Sequence, residues 1–173
     1  EQVLDAVEIL NTDFRKLNAD TDDIVSSFQS IAAECEIEFK LATLDENGNC
    51  TDGITRTVSV ETFSADDNVK KLVAWDPSMY LNVWVVDVIE SGAGGYSYYP
   101  GITSWKDGIV IINSQFGSIG TSSGSDIAMG SLSHEVGHYL NLIHTWLTKD
   151  FMLNLKKKFF VYISVEEPED EDY

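Results

Sequence analysis

The amino-acid sequence predicts a mixed α/β domain in which helices pack on a twisted sheet. A helical pattern opens the chain, several short segments of strand length follow, and a second strong helical pattern comes after them. The chain has 173 residues, which is enough for one domain with a hydrophobic core. This order of elements is the main reason for the predicted class.

Two consecutive helices are predicted at the start of the chain. In the first, apolar residues recur every three or four positions and therefore share one face: Val3, Val7, Leu10, Phe14 and Leu17. Asp20 or Thr21 can cap the second helix. Its apolar residues are Ile24, Val25, Phe28 and Ile31.

Five short segments are predicted to be strands. Residues 37–41 and 55–60 alternate between apolar and polar side chains, which is typical of half-buried strands. Residues 81–86 are almost continuously apolar, which favours a central strand covered on both faces. Residues 96–99 precede a proline and suit an edge position, and residues 108–112 form another short buried strand.

The last predicted helix begins near Ser125 or Asp126, because either side chain can cap it. Its apolar positions are Ile127, Leu132, Val136 and Leu140. The following residues differ in kind, because 151–165 are apolar and basic whereas 166–172 are almost wholly acidic. The acidic end is expected to be solvated.

Charge and cysteine content exclude several function classes. The net charge of −18 repels phosphate backbones, so no nucleic-acid partner is expected, although Ca²⁺ is not excluded because it binds carboxylates. No apolar run approaches the ~20 residues of a membrane helix. An extended segment separates Cys35 from Cys50, which disfavours a disulfide between them but leaves it open.

A single segment contains all three histidines of the chain. His134 and His138 lie four residues apart on the predicted helix, so both imidazoles can reach one Zn²⁺ ion at ~2.0–2.1 Å. His144 is too far along for a straight helix, so the helix must end first, and Asn141 is predicted to make that turn with a positive φ. Three imidazoles leave one open position, and Glu135 is placed to deprotonate zinc-bound water as a general base.

This segment resembles the extended zinc motif of the metzincin peptidases, HExxHxxGxxH, with Asn141 at the glycine position. Other short segments resemble one metzincin branch, the pappalysin-like (cytophagalysin) peptidases, and occur in family order. They are residues 17–20, 37–39, 41–43, 53–56, 80–84, 95–96, 100–101 and 144–146. The resemblance therefore covers roughly residues 4–146.

The resemblance implies a metzincin-like catalytic, N-terminal subdomain over residues 1–146. This subdomain is a twisted, mostly parallel five-stranded sheet with an antiparallel edge strand, a backing helix and an active-site helix. The resemblance also implies a secreted zinc endopeptidase acting on protein or peptide substrates. No leader is visible in the chain, so either it has been removed or the chain is an excerpt.

The resemblance further implies a substrate-binding edge strand. Gly95, Tyr96, Ser97 and Tyr98 would bind an extended substrate through backbone hydrogen bonds. The alternative is that these tyrosines only cover the sheet.

The chain departs from the family pattern after Trp146. Residues 147–173 form a divergent tail with an acidic C-terminus and show no methionine-containing turn, since Met152 lies too near the third histidine. Two alternatives to an active peptidase therefore stay open. One is a zinc-binding but inactive remnant that lacks the C-terminal subdomain, and the other is an interaction domain whose histidines are accidental. The oligomeric state is not predicted.

Overall fold

The computed structural model describes residues 1–144 and 158–167. Trp146, Met152 and the acidic residues 168–172 lie outside this part. Within it, the α-helices are α1 (Gln2–Phe14), α2 (Ser26–Gln29) and α3 (Asp126–Tyr139). The strands are β1 (Glu38–Leu41), β2 (Ile54–Val58), β3 (Tyr80–Val86), β4 (Gly95–Ser97), β5 (Ile109–Ile112) and β6 (Lys158–Glu167).

The described strands form one sheet in the order β1-β6-β3-β5-β4, and β2 also pairs with β6. Strand β4 runs antiparallel to β5, whereas the other pairs are parallel. The predicted mixed α/β class and mostly parallel sheet with an antiparallel edge strand are therefore confirmed. The described residues contribute six strands to this sheet, one more than the five that the resemblance implied.

The additional strand is β6, which lies within residues 147–173, the segment that the sequence analysis describes as a divergent tail. It pairs with β3 on one side and with β1 and β2 on the other. Its Val161 and Ile163 are buried in the main hydrophobic core. Apolar burial thus explains why this segment joins the sheet.

Helices α1 and α3 cover one face of the sheet. Their buried residues pack on alternate residues of β3, Leu81, Val83 and Val85, in one hydrophobic cluster. Trp84 and Val86 point to the opposite face and pack with residues at two 3₁₀ turns, Val60–Ser64 and Asp67–Lys71. Every residue of β3 is buried, so the prediction of a central strand covered on both faces is confirmed.

The first helix ends earlier than predicted. Helix α1 stops at Phe14, and Lys16 adopts a φ of 56°, which turns the chain away from the helix axis. Leu17 is consequently 63% exposed rather than buried with the other apolar residues of the helix.

The predicted second helix was wrong. The segment forms a 3₁₀ turn at Ala19–Asp23 and the one-turn helix α2 instead, and Val25, Phe28 and Ile31 are exposed. None of the described core clusters includes these three side chains, because α1 and α3 supply the helical layer of the core. An amphipathic pattern alone does not stabilise a helix when no sheet surface remains for its apolar face to pack against.

The start of α3 agrees with the sequence. The Ser125 hydroxyl accepts a hydrogen bond from the Ala128 N–H at 3.2 Å, as expected of an N-cap. Leu132 and Val136 are buried, whereas Ile127 in the first turn is exposed. Cys35 and Cys50 are both free and exposed. No described helix has the length and apolar character that a membrane crossing requires.

Candidate metal centre

Helix α3 carries the first two histidines of the predicted site. They lie one turn apart, and the Nε2 atoms of His134 and His138 are 3.0 Å from each other. The His138 Nδ1 lies 2.7 Å from the Leu142 carbonyl oxygen. A proton on Nδ1 donated to this carbonyl leaves the Nε2 lone pair free to bind a metal.

The end of α3 turns the chain back toward these two rings. Asn141 has a φ of 72°, so the predicted left-handed conformation is confirmed. The Leu142 N–H donates to the Gly137 carbonyl at 2.9 Å, and the Asn141 N–H donates to the His138 carbonyl at 2.8 Å. These two bonds form a Schellman motif, which satisfies carbonyl groups that the helix end would otherwise leave unpaired.

The turn brings His144 to the other two histidines. Its Nε2 lies 3.1 Å from the Nε2 of both His134 and His138. A tetrahedral zinc ion with nitrogens at ~2.0–2.1 Å would hold its ligand atoms about 3.3 Å apart. The observed triangle is close to this spacing, so the three histidines fit a zinc ion.

The protonation of the histidines also suits a metal. Partial burial and the charge of His138 hold the pKa of His134 below its usual value, and the pKa of His144 is lowered in the same way. A lowered pKa favours the neutral imidazole, which is the form that binds a metal through its unprotonated ring nitrogen. Among the described residues, these three histidines are the one set of at least three His, Cys, Asp or Glu side chains close enough to share a metal ion. The same residues contain no carboxylate cluster suited to Ca²⁺.

Glu135 lies beside the histidines but outside the ligand group. Its side chain is only 7% exposed. Burial raises the pKa of this carboxyl group, while the charge of His138 and a hydrogen bond from Ser97 act in the opposite direction. Glu135 therefore places a buried carboxyl group next to the candidate metal centre.

Strand β4 forms the edge of the sheet nearest to Glu135. The Ile112 N–H donates to the Gly94 carbonyl at 2.9 Å, which marks these residues as a hydrogen-bonded pair of the antiparallel ladder. Such pairs alternate, so Tyr96 also bonds to β5, whereas Gly95 and Ser97 turn their backbone groups away from it. Of the predicted substrate-binding residues, Gly95 and Ser97 are thus the ones whose backbone groups face the open edge.

Tyr96 and Tyr98 take part in a charged cluster on the far face of β4. We call this the Asp67 cluster, and its members are Asp67, Lys70, Tyr96, Tyr98 and Lys106. Asp67 accepts hydrogen bonds from the hydroxyl groups of Tyr96 at 3.3 Å and Tyr98 at 2.8 Å. It also pairs with the ammonium groups of Lys70 at 3.3 Å and Lys106 at 2.8 Å.

Lys70 is the least expected member of this cluster, because it is only 1% exposed. Its Nζ lies 4.8 Å from the ring centre of Tyr96 and 4.7 Å from that of Tyr98, and it donates to the Lys106 carbonyl. Burial lowers the pKa of Lys70, while Asp67 opposes that shift. The alternation of Tyr96 and Tyr98 predicts a shared face, but no pattern in the sequence connects that face with Lys70.

Residues 63–150 match the sequence model of a peptidase family, M43, described as pregnancy-associated plasma protein-A. This match spans just over half of the chain. The chain belongs to this family. The resemblance to pappalysin-like peptidases seen in the sequence is therefore confirmed. No curated protein sequence matches this M43 chain.

Solved structures of mirolysin share the fold. Mature mirolysin of Tannerella forsythia in complex with a cleaved peptide is 38% identical, with a TM-score of 0.71. A promirolysin mutant from the same organism is 41% identical with a TM-score of 0.75, and mirolysin in complex with compound 9 is 41% identical with a TM-score of 0.74. Each alignment covers 84% of this M43 chain but only 57%, 50% and 57% of the respective mirolysin chain.

Proposed function

We propose that this chain is a zinc-dependent endopeptidase whose residues 1–146 form the N-terminal catalytic subdomain. The observation that carries the proposal is the convergence of three histidine Nε2 atoms at 3.0–3.1 Å beside the buried carboxylate of Glu135. Membership of the M43 family supports a metallopeptidase. The cleaved peptide in the mature mirolysin complex supports a peptide as substrate.

In this proposal His134, His138 and His144 hold the metal. Zinc supplies Lewis acidity, which acidifies water and polarises a carbonyl oxygen. Glu135 accepts the proton of the attacking water and later returns it to the leaving amine. Its burial suits this role, because a raised pKa makes a carboxylate a stronger base than an exposed one.

The substrate adds to the open edge of β4 as an extended strand. Gly95 and Ser97 offer it their backbone N–H and C=O groups, which is the usual mode of β-augmentation. Tyr96 and Tyr98 contribute differently, since their side chains hold the strand through the Asp67 cluster. We expect the enzyme to be secreted, as the family resemblance implies.

A second candidate is a zinc-binding domain without peptidase activity. The observation that favours it is the divergence of residues 147–173 from the family pattern in sequence. Such a domain would hold the metal without the water-excluding cavity that hydrolysis needs.

Glu135→Gln separates the two candidates. This variant keeps the size of the side chain but removes the base, so it should retain one equivalent of zinc by elemental analysis. It should lose hydrolysis of a denatured protein by about 10²–10⁴-fold, the usual contribution of a general base. A chelator should abolish wild-type cleavage, and Glu90→Gln, at an exposed position, should leave it unchanged.

Each outcome of this experiment has a distinct meaning. Undiminished cleavage by Glu135→Gln would refute the proposed base. Bound zinc without wild-type cleavage would favour the second candidate. A zinc content near zero after reconstitution would refute the metal centre itself.

A further inference from the structure

The side chain of Ser97 contacts Glu135 directly. Its hydroxyl lies 2.8 Å from the backbone carbonyl oxygen of Glu135 and 3.3 Å from the carboxylate oxygen Oε2. A serine hydroxyl carries one proton, so it shares this proton between the two oxygens or donates to each in turn. Both acceptors belong to Glu135, so this one hydroxyl connects strand β4 to the backbone and to the carboxylate of the same helix residue.

Gly95 borders the same carboxylate from the next inward-facing position of the strand. A Cβ atom at this position would lie 3.1 Å from the Glu135 Cγ and 3.3 Å from Oε1. The absence of a side chain therefore makes room for the carboxylate. The glycine and the serine together form the wall of β4 against which Glu135 packs.

Ser97 also occupies a special place on the strand. Its backbone groups turn toward the open edge, as the pairing of Gly94 with Ile112 requires, while its hydroxyl points toward α3. The residue thus touches Glu135 with its side chain and presents its backbone where the substrate strand would bind. No other residue of β4 has a hydroxyl on this face, because Gly95 has no side chain and Tyr96 points to the Asp67 cluster.

We propose that Ser97 is a positioning residue, which holds the Glu135 carboxylate in register with the substrate-binding edge of β4. This rests on the proposed role of Glu135 as the general base. The hydroxyl restricts the rotation of the buried carboxylate and keeps Oε2 on the strand side, where the scissile peptide lies. Loss of the hydroxyl removes a donor from a buried carboxylate and lets its side chain adopt other rotamers.

The first test is independent of catalysis and uses the zinc-saturated chain. Ser97→Ala is made in the wild type and in a Glu135→Ala background, and denaturant titration gives the unfolding equilibrium constant of each protein. We expect Ser97→Ala to raise this constant about 5-fold when Glu135 is present, as for one lost hydrogen bond. In the Glu135→Ala background we expect a smaller rise, about 2-fold, because the hydroxyl then has only the backbone carbonyl to donate to and Ser97→Ala removes that bond alone.

Ser131→Ala is the matched control. The Ser131 hydroxyl lies 2.6 Å from the Ile127 carbonyl oxygen on the same helix and 3.0 Å from the Gln115 Oε1, and none of its described hydrogen bonds goes to Glu135. Its effect on the unfolding constant should be the same in both backgrounds. If Ser97→Ala also has the same effect in both backgrounds, Ser97 anchors only the backbone and the proposal is wrong.

The second test is kinetic. Ser97→Ala should lower kcat about 10-fold and leave KM unchanged, because the hydroxyl acts on the base rather than on the bound strand. Ser97→Thr retains the hydroxyl and should restore most of kcat. An increase in KM at constant kcat would overturn the proposal. A wild-type chain without any cleavage would count against the proposed function, whereas the stability comparison would still decide the Ser97 contact.

Discussion

The two faces of strand β4 carry polar clusters of opposite character. On the α3 face, three imidazole nitrogens converge within 3.0–3.1 Å of one another, which is close to the spacing of nitrogen ligands around a zinc ion. On the other face, the polar groups of the Asp67 cluster bond to one another. Asp67 forms ion pairs with two ammonium groups and accepts hydrogen bonds from two hydroxyl groups. The comparison teaches that one face gathers groups that fit a metal ion, whereas the polar groups of the other face contact one another and hold the strand.

This difference predicts separable effects of mutation. Changes in the Asp67 cluster should lower the stability of the fold and leave the metal stoichiometry at one. Changes around the histidines should weaken metal binding with smaller effects on the metal-free fold. The predictions below test this separation.

The largest expected effect on stability is that of Lys70→Met. The variant keeps an unbranched apolar side chain but leaves Asp67 with Lys106 as its remaining cation. The unfolding free energy should fall by about 3 kcal/mol, the lower end for breaking a buried ion pair. Denaturant titration measures the change, and elemental analysis should still find one zinc per chain.

Lys71→Met is the control for this variant. Lys71 is the neighbouring lysine, but it is exposed and contacts only Asn68 and the ring of Trp105 among the partners that the structure describes. Its replacement should cost less than about 1 kcal/mol. Equal losses from the two lysines would contradict the idea that the Asp67 cluster is a buried structural unit.

A smaller effect is expected at Asn141, on the metal face. Asn141→Val places a β-branched residue at a φ of 72°, which costs about 1–2 kcal/mol, and zinc affinity should fall because His144 moves away to relieve the strain. Asn141→Gly should be neutral or stabilising. Competition with a chromogenic chelator measures both affinities. Unchanged zinc binding by Asn141→Val would show that the turn does not control His144.

The smallest effect is expected for Tyr98→Phe, which removes one hydroxyl donor from Asp67. The loss should be about 1 kcal/mol at neutral pH, as for one hydrogen bond. Tyr80→Phe is the control, because its hydroxyl donates to the Leu44 carbonyl outside the cluster. The two variants should therefore have similar stability at neutral pH.

The pH dependence distinguishes these two tyrosines. Burial of Asp67 raises its pKa, but bonds from Lys106 and Tyr98 and the charge of Lys70 outweigh burial and hold the pKa below its usual value. This lowered pKa contributes stability above about pH 4 that is lost as the pH falls through the lower folded value. As the pH falls below 5, the unfolding free energy of Tyr98→Phe should decrease less than that of Tyr80→Phe. Identical acid profiles would show that the Tyr98 hydroxyl does not act through Asp67.

The convergence of the three histidines is the feature of the candidate site that the sequence predicted best. His134 and His138 come together through the helical repeat, and the turn at Asn141 follows from the need to return His144 to them. The proline that follows residues 96–99 likewise predicted β4 as an edge strand. The second helix was predicted wrongly by the same kind of pattern, because an amphipathic segment such as residues 24–31 becomes a long helix only where a core surface remains to be covered.

The sequence by itself therefore determined the local features, namely the spacing of the histidines, a helix start near Ser125 or Asp126 and the left-handed turn at Asn141. Each of these depends on backbone periodicity over a few residues. The tertiary structure alone decided which distant groups meet: Ser97 with Glu135 across 38 residues, and Asp67 with Tyr98 across 31. Such contacts depend on how the strands and helices pack, and packing brings together side chains that no local repeat relates.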